Sequence, residues 1–231
     1  MKSFRIIEIG SQIEQAVFPL VLGGDFSILL GAALALRRRG RYGLCFIDGH
    51  NEFCYARDPK WRERYTAAGL DLALATGHGP DALTDLERLK PYVREEDVVA
   101  LGFYKDANEF FAIEQFYESK IQRLEAERIR RAGAEETAKV ALDSLERSDL
   151  KGFWIHVDTD VLNQSVMPAV DSHNPGGITF EQLTSILRVL LRSPKAVGME
   201  LTIFDPELDP KGNCAAALVN AMTSAFRVRQ M

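Results

Sequence analysis

Apolar positions along the chain gather into short unbroken runs, separated by longer stretches whose apolar residues recur with helical period. The runs are Pro19-Leu20-Val21-Leu22, Gly43-Leu44-Cys45-Phe46-Ile47, Val98-Val99-Ala100-Leu101, Phe153-Trp154-Ile155-His156-Val157 and Ala196-Val197-Gly198-Met199-Glu200-Leu201. Without polar alternation such a run reads as a strand covered on both faces, which is the habit of parallel sheets. Helical spacing predicts helices over residues 4–17, 26–39, 134–145, 180–191 and 214–226. Gly40 closes the second of these, and Thr179 opens the fourth with Gln182 three residues on, the spacing of a capping box. Residues 88–97 and 114–136 mix charges of both signs with Leu, Ile and Ala, and read as solvated helical faces. Strands alternating with crossover helices predict an α/β protein, a three-layer α/β/α sandwich around a mostly parallel sheet, with residues 1–231 forming one domain.

Composition narrows the class of partner. The chain has 231 residues, 46% of them hydrophobic, which excludes a disordered polymer. Lys and Arg total 28 against 33 Asp and Glu, a net charge of −5, so neither nucleic acid nor a membrane surface is an expected partner. The one dense basic run, Arg37-Arg38-Arg39-Gly40-Arg41, ends a predicted helix, where cations complement the helix dipole. Cys45, Cys54 and Cys214 are odd in number and form no C-x-x-C pair, which suits a reducing cytoplasm. No stretch approaches the ~20 apolar residues that span a bilayer, and the first residues do not read as a secretory leader.

Ligands in open α/β sheets collect outside the carboxyl ends of the strands. Two of those ends are acidic: Asp48-Gly49-His50-Asn51-Glu52 follows one run, and Asp158-Thr159-Asp160 follows another. Side chains two apart in extended backbone point the same way, so Asp48, His50 and Glu52 can converge, as can Asp158 and Asp160. Two carboxylates about 4 Å apart repel by roughly 4 kcal/mol at an effective dielectric of about 20, and a bound cation removes that cost. Oxygens plus an imidazole, with no thiolate, suit Mn²⁺, with Mg²⁺, Fe²⁺, Ni²⁺ or Zn²⁺ as alternatives. His156 precedes Asp158 by two residues and shares its direction, but its place inside an apolar run reads as a core histidine or one that orients a ligand. Gly23-Gly24-Asp25 lacks the G-x-G-x-x-G spacing of a dinucleotide loop.

Taken in order, Gly23-Gly24-Asp25-Phe26-Ser27, the block Asp48 to Glu52, the block Asp158 to Asp160 with Met167-Pro168-Ala169 and Pro175-Gly176-Gly177, and Phe204-Asp205-Pro206-Glu207-Leu208-Asp209 resemble the ureohydrolases, the arginase/agmatinase family. The resemblance runs from Pro19 to the C-terminus. It implies an arginase-like fold, a homo-oligomer, and hydrolysis of C–N bonds in small guanidino or amidino compounds with two Mn²⁺ ions. By position it implies that Asp48 and Asp158 bridge both metals and that His50 and Asp160 complete one site. The other site departs from the family pattern, because Phe26 stands where a histidine is expected and Glu52 where an aspartate is expected. Ile203 stands where arginase-like members place the glutamate that binds guanidinium, so no matched residue specifies arginine or agmatine. His78, in Thr76-Gly77-His78-Gly79-Pro80, resembles the loop histidine that shuttles protons in some members, and Glu52 is a second candidate catalytic group. Only 22 residues precede the first block, fewer than members usually place there, which implies that the usual first strand is lacking. The departure at Phe26 also supports a rival expectation, a member without turnover that acts as a metal-binding or structural subunit.

Overall fold

Alternate residues of the central strands leave the sheet on opposite sides, and each side meets its own apolar layer. The computed structural model describes residues 17–53, 68–104 and 113–227. Its strands are β1 (Leu20–Leu22), β2 (Gly43–Ile47), β3 (Val98–Leu101), β4 (Gln122–Leu124), β5 (Phe153–Asp158) and β6 (Ala196–Thr202). Its helices are α1 (Ile28–Arg37), α2 (Asp71–Ala75), α3 (Asp81–Thr84), α4 (Ile113–Glu118), α5 (Ala126–Ala132), α6 (Ala134–Leu145), α7 (Phe180–Arg192) and α8 (Asn213–Phe226). Cys45, Ile47, Ile155, Val157 and Met199 pack with α6, α7 and α8 on one side. Leu44, Phe46, Trp154, Val98 and Ala100 pack with α1 and α2 on the other. This is the three-layer α/β/α arrangement, and it explains why the central strands lack polar alternation.

The six strands form one sheet in the order β1-β6-β5-β2-β3-β4, every neighbouring pair parallel. From β2 the chain moves outward to β3, whereas from β5 it moves the opposite way to β6. Connections therefore diverge between the adjacent strands β2 and β5, and a crevice opens at their carboxyl ends, the switch point where such sheets bind ligands. Asp48 directly follows β2, and Asp158 ends β5.

Several expectations need correction. The run at residues 19–22 is a strand, but an edge strand rather than a buried one, with Leu22 72% exposed. At the other edge lies β4, which has no counterpart among the expected strands because Gln122 and Arg123 are polar and the strand is three residues long. Residues 114–136 are thus not one helical face but two short helices flanking a strand before α6 begins. Residues 88–97 contain only one-turn segments, and Tyr92 and Val93 are buried. The helix expected from residue 26 begins at Ile28, and the one expected over residues 4–17 lies outside the described residues except for Val17, which is not helical; Cys54 also lies outside them. The basic run is occupied within the chain. Arg37 Nε donates to the Leu89 and Pro91 carbonyls, Arg38 pairs with Glu87, and Arg41 Nε lies 2.7 Å from buried Asp97.

Candidate metal centre

Local backbone geometry builds the two acidic loops before any long-range contact is considered. The His50 amide donates to Asp48 Oδ1 at 2.6 Å, and the Asp160 amide donates to Asp158 Oδ1 at 2.7 Å. Each loop thus turns back on its own first carboxylate, an Asx-type turn. The Gly49 amide then donates across to Asp160 Oδ1 at 3.0 Å and joins the two loops. This closeness requires glycine, since a Cβ on Gly49 would lie 2.6 Å from the Asp160 carbonyl and 2.4 Å from Asn174 Nδ2. His50 completes the link, with Nδ1 3.0 Å from Asp160 Oδ2 and Nε2 3.2 Å from the Ser172 hydroxyl.

The expected groups converge. One donor atom from each of Asp48, His50 and Glu52 lies within 4.8 Å of the others, and the same holds for Asp48, His156 and Asp158. All five are buried, and so is Asp160. Asp160 accepts the Gly49 amide through Oδ1 and meets the His50 ring through Oδ2, with a lone pair left on each oxygen. Glu52 has a left-handed backbone, φ 43°, which aims its longer side chain from a position where the family pattern has aspartate. Among the described residues Asp48 and Asp160 pair with the His50 imidazole, and none of these carboxylates pairs with lysine or arginine.

Three acidic and basic groups were not singled out as ligands by sequence. Asp71, at the start of α2, is fully buried, and its Oδ1 accepts from the Leu72 amide at 2.6 Å. Its signal was an acid inside the apolar stretch Leu70 to Ala75. Glu200, from β6, lies beside His156 of β5 in register, with 2.7 Å between Oε1 and the ring Nδ1. His156 itself faces Asp48 and Asp158 rather than serving only as core.

The electrostatics follow from this crowding. Burial, then the charges of Asp160 and Glu52, push the Asp48 pKa well above its ordinary value. Burial, then Asp160 and Asp48, do the same to Asp158. Glu52 is pushed to about 8, chiefly by burial and then by Asp160, and Asp71 also rises through burial and its acidic neighbours. Burial alone lowers the His50 pKa, but its hydrogen bond to Asp160 and the Asp160 and Asp48 charges outweigh that and raise it to about 9. Asp48 Oδ2, Glu52 Oε2, Asp71 Oδ2, Asp158 Oδ2, Glu200 Oε2 and His156 Nε2 are buried with no hydrogen-bond partner. A buried polar atom left so is costly, and acceptor atoms crowded together are the donor set for a hard divalent cation.

The remaining candidates lie around this cluster. His78 is partly exposed, with Nε2 2.7 Å from Glu95 Oε1 and its ring edge-to-face with Phe53, the residue after Glu52. Phe26 is half-buried and packs against the core beneath α6, α7 and α8. Ile203 is buried at φ 69°, an unusual backbone for a β-branched residue.

The model of the arginase family matches residues 7–227. An arginase of Staphylococcus aureus is 26% identical over 230 residues, covering 95% of this chain and 70% of that protein. The crystal structure of arginase from Bacillus subtilis superimposes with a TM-score of 0.81 at 25% identity, covering 95% of this chain and 74% of that one. The formimidoylglutamase of Bacillus subtilis shares the fold, with a TM-score of 0.76 at 22% identity over 96% of this chain and 66% of that one.

Proposed function

The chain belongs to the arginase family, and on that premise we propose that it is a metal-dependent hydrolase of C–N bonds in small guanidino or amidino compounds, with Mn²⁺ as its ion. The observation that carries this reading is the set of orphaned, buried acceptor atoms where the β2 and β5 loops meet. In the proposal Asp48, His50, Glu52, Asp158 and Asp160 hold the metal. A divalent ion supplies Lewis acidity there and lowers the pKa of water. The residues around it bind, orient and move protons. Asp160 holds the His50 ring, and the Gly49 amide holds Asp160. Water adds to the amidino carbon and gives up a proton, the C–N bond breaks, and that proton reaches the departing amine through His78, whose ring Glu95 positions.

The proposal extends to the setting. Cys45 and Cys214 are free thiols, as a reducing cytoplasm requires, and we expect a homo-oligomer whose mass light scattering would read. The basic run at residues 37–41 is engaged within the chain, which supports a small-molecule partner over a polyanion.

The test is to strip the full chain with chelator, reload it with Mn²⁺, count bound metal by plasma mass spectrometry, and screen guanidino and amidino compounds for urea or ammonia release. Bound metal with turnover is the expected result. A second reading, a metal-binding subunit without turnover, is favoured by the apolar ring of Phe26 where the family pattern has imidazole. Bound metal with no release from any compound would select it.

A further inference from the structure

The family pattern lacks one nitrogen in this chain, at Phe26, yet the buried cluster holds an imidazole that the pattern does not assign. His156 lies on β5 two residues before Asp158 and is 0% exposed. Its ring is fixed from two directions. It stacks on Phe46 of the neighbouring strand, centroids 4.7 Å apart and planes within 4°, and its Nδ1 lies 2.7 Å from Glu200 Oε1 on the strand opposite. A carboxylate can only accept, so Nδ1 donates to Glu200, and Nε2 is the nitrogen left to ligate. That Nε2 has no hydrogen-bond partner, and His156 has a ring nitrogen within 4.8 Å of carboxylate oxygens of both Asp48 and Asp158. Asp48 Oδ2 and Asp158 Oδ2 are also orphaned. Three buried polar atoms are left without partners on residues that converge, an arrangement that a cation relieves. A carboxylate bonded to the far nitrogen of a ligating histidine is the usual way to fix its tautomer and direction.

We infer that His156 Nε2 is a metal ligand alongside Asp48 and Asp158, supplying from the strand the imidazole that Phe26 removes from the loop, with Glu200 as its positioning residue. This rests on the metal-dependent reading above and goes beyond the family's ligand pattern. His156 and His50 fall in separate donor groups that share Asp48, so the inference gives each imidazole its own ion.

The experiment uses the full chain, stripped and loaded with Co²⁺, and reads metal per chain together with contact-shifted ring N–H signals in proton NMR of ¹⁵N-histidine-labelled protein. Wild type is expected to show such signals from two histidines, His50 and His156. His156→Gln is expected to lose the His156 signal and to bind one ion fewer per chain, with Phe26→His in that background restoring the count. Glu200→Gln is expected to keep the ion with 10–100-fold weaker affinity and faster solvent exchange of the His156 ring proton. If His156→Gln does not fold, the wild-type spectrum alone decides, since a contact-shifted signal from His50 only overturns the inference. The inference also falls if His156→Gln binds as many ions as wild type, or if Phe26→His fails to restore the lost one. Failure of the underlying reading looks different: wild type then retains no ion, or Asp48→Asn retains as many as wild type.

Discussion

Asp158 is completely buried, accepts the Asp160 amide through one oxygen and leaves the other without a partner. Burial and then the charges of Asp160 and Asp48 act against its ionised form, so in the absence of metal it opposes folding. Two carboxylates about 4 Å apart at an effective dielectric near 20 repel by up to about 4 kcal/mol. Asparagine keeps the oxygen that accepts the amide and removes the charge. Metal-free Asp158→Asn is therefore expected to melt above metal-free wild type at pH 8 and to lose ion binding and turnover. A lower melting temperature would refute this account of the cluster. Gly49 makes the opposite case. A methyl group there meets the Asp160 carbonyl at 2.6 Å, so Gly49→Ala is expected to lower stability by about 1–3 kcal/mol. It should weaken metal binding as well, because the two acidic loops are forced apart; calorimetry of both states checks this.

At the scale of elements, α7 carries the test of local sequence logic. The Thr179 hydroxyl accepts the Gln182 amide at 3.2 Å and the Gln182 side chain accepts the Thr179 amide at 2.9 Å, the reciprocal cap that the sequence predicts. Thr179→Ala should cost about 1 kcal/mol in urea unfolding and leave metal affinity and turnover unchanged, since the cap is remote in role from the acidic loops. The helices α6, α7 and α8 and the central strands were legible because each buries a periodic or continuous apolar face against the sheet. β4 was not, because an edge strand needs no buried second face, and the Arg123 side chain is held by the Phe116 and Ser119 carbonyls instead. The same contrast divides the site. Asp48, His50, Glu52, Asp158 and Asp160 announce themselves as polar residues at the ends of apolar runs. His156 and Glu200 sit inside such runs and only strand register sets them side by side, while Asp71 sits in an apolar helix that the fold brings near Glu52 and Asp48.

For the whole molecule the crowded carboxylates set the response to pH. Glu52 moves from an ordinary 4.5 to about 8 on folding and His50 from 6.5 to about 9, and both shifts are upward. The native state then binds more protons than the unfolded chain across those intervals, so stability is greatest below them and is lost as pH rises through about 8 and 9. Melting of chelated protein is expected to drop progressively from the ordinary Glu52 value of 4.5 up to about 9, where His50 has titrated. An ion takes the place of those protons and binds more tightly as they leave, so loaded protein should hold its melting temperature and the gap should widen with pH. At about 100 times Kd the ion adds about 2.7 kcal/mol, some 5–10 °C for a chain of this size. A gap independent of pH would contradict this. The divergence of the chain between β2 and β5 bears on kinetics too, because the hydrogen bond joining the acidic loops spans 111 residues. Contacts so distant in sequence close late on the folding route. An ion gripped by both halves deepens the finished state without helping the barrier crossing that precedes it. Mn²⁺ is thus expected to slow escape from the native basin in denaturant-jump experiments and to leave the refolding rate unchanged, lengthening each molecule's lifetime rather than hastening its birth.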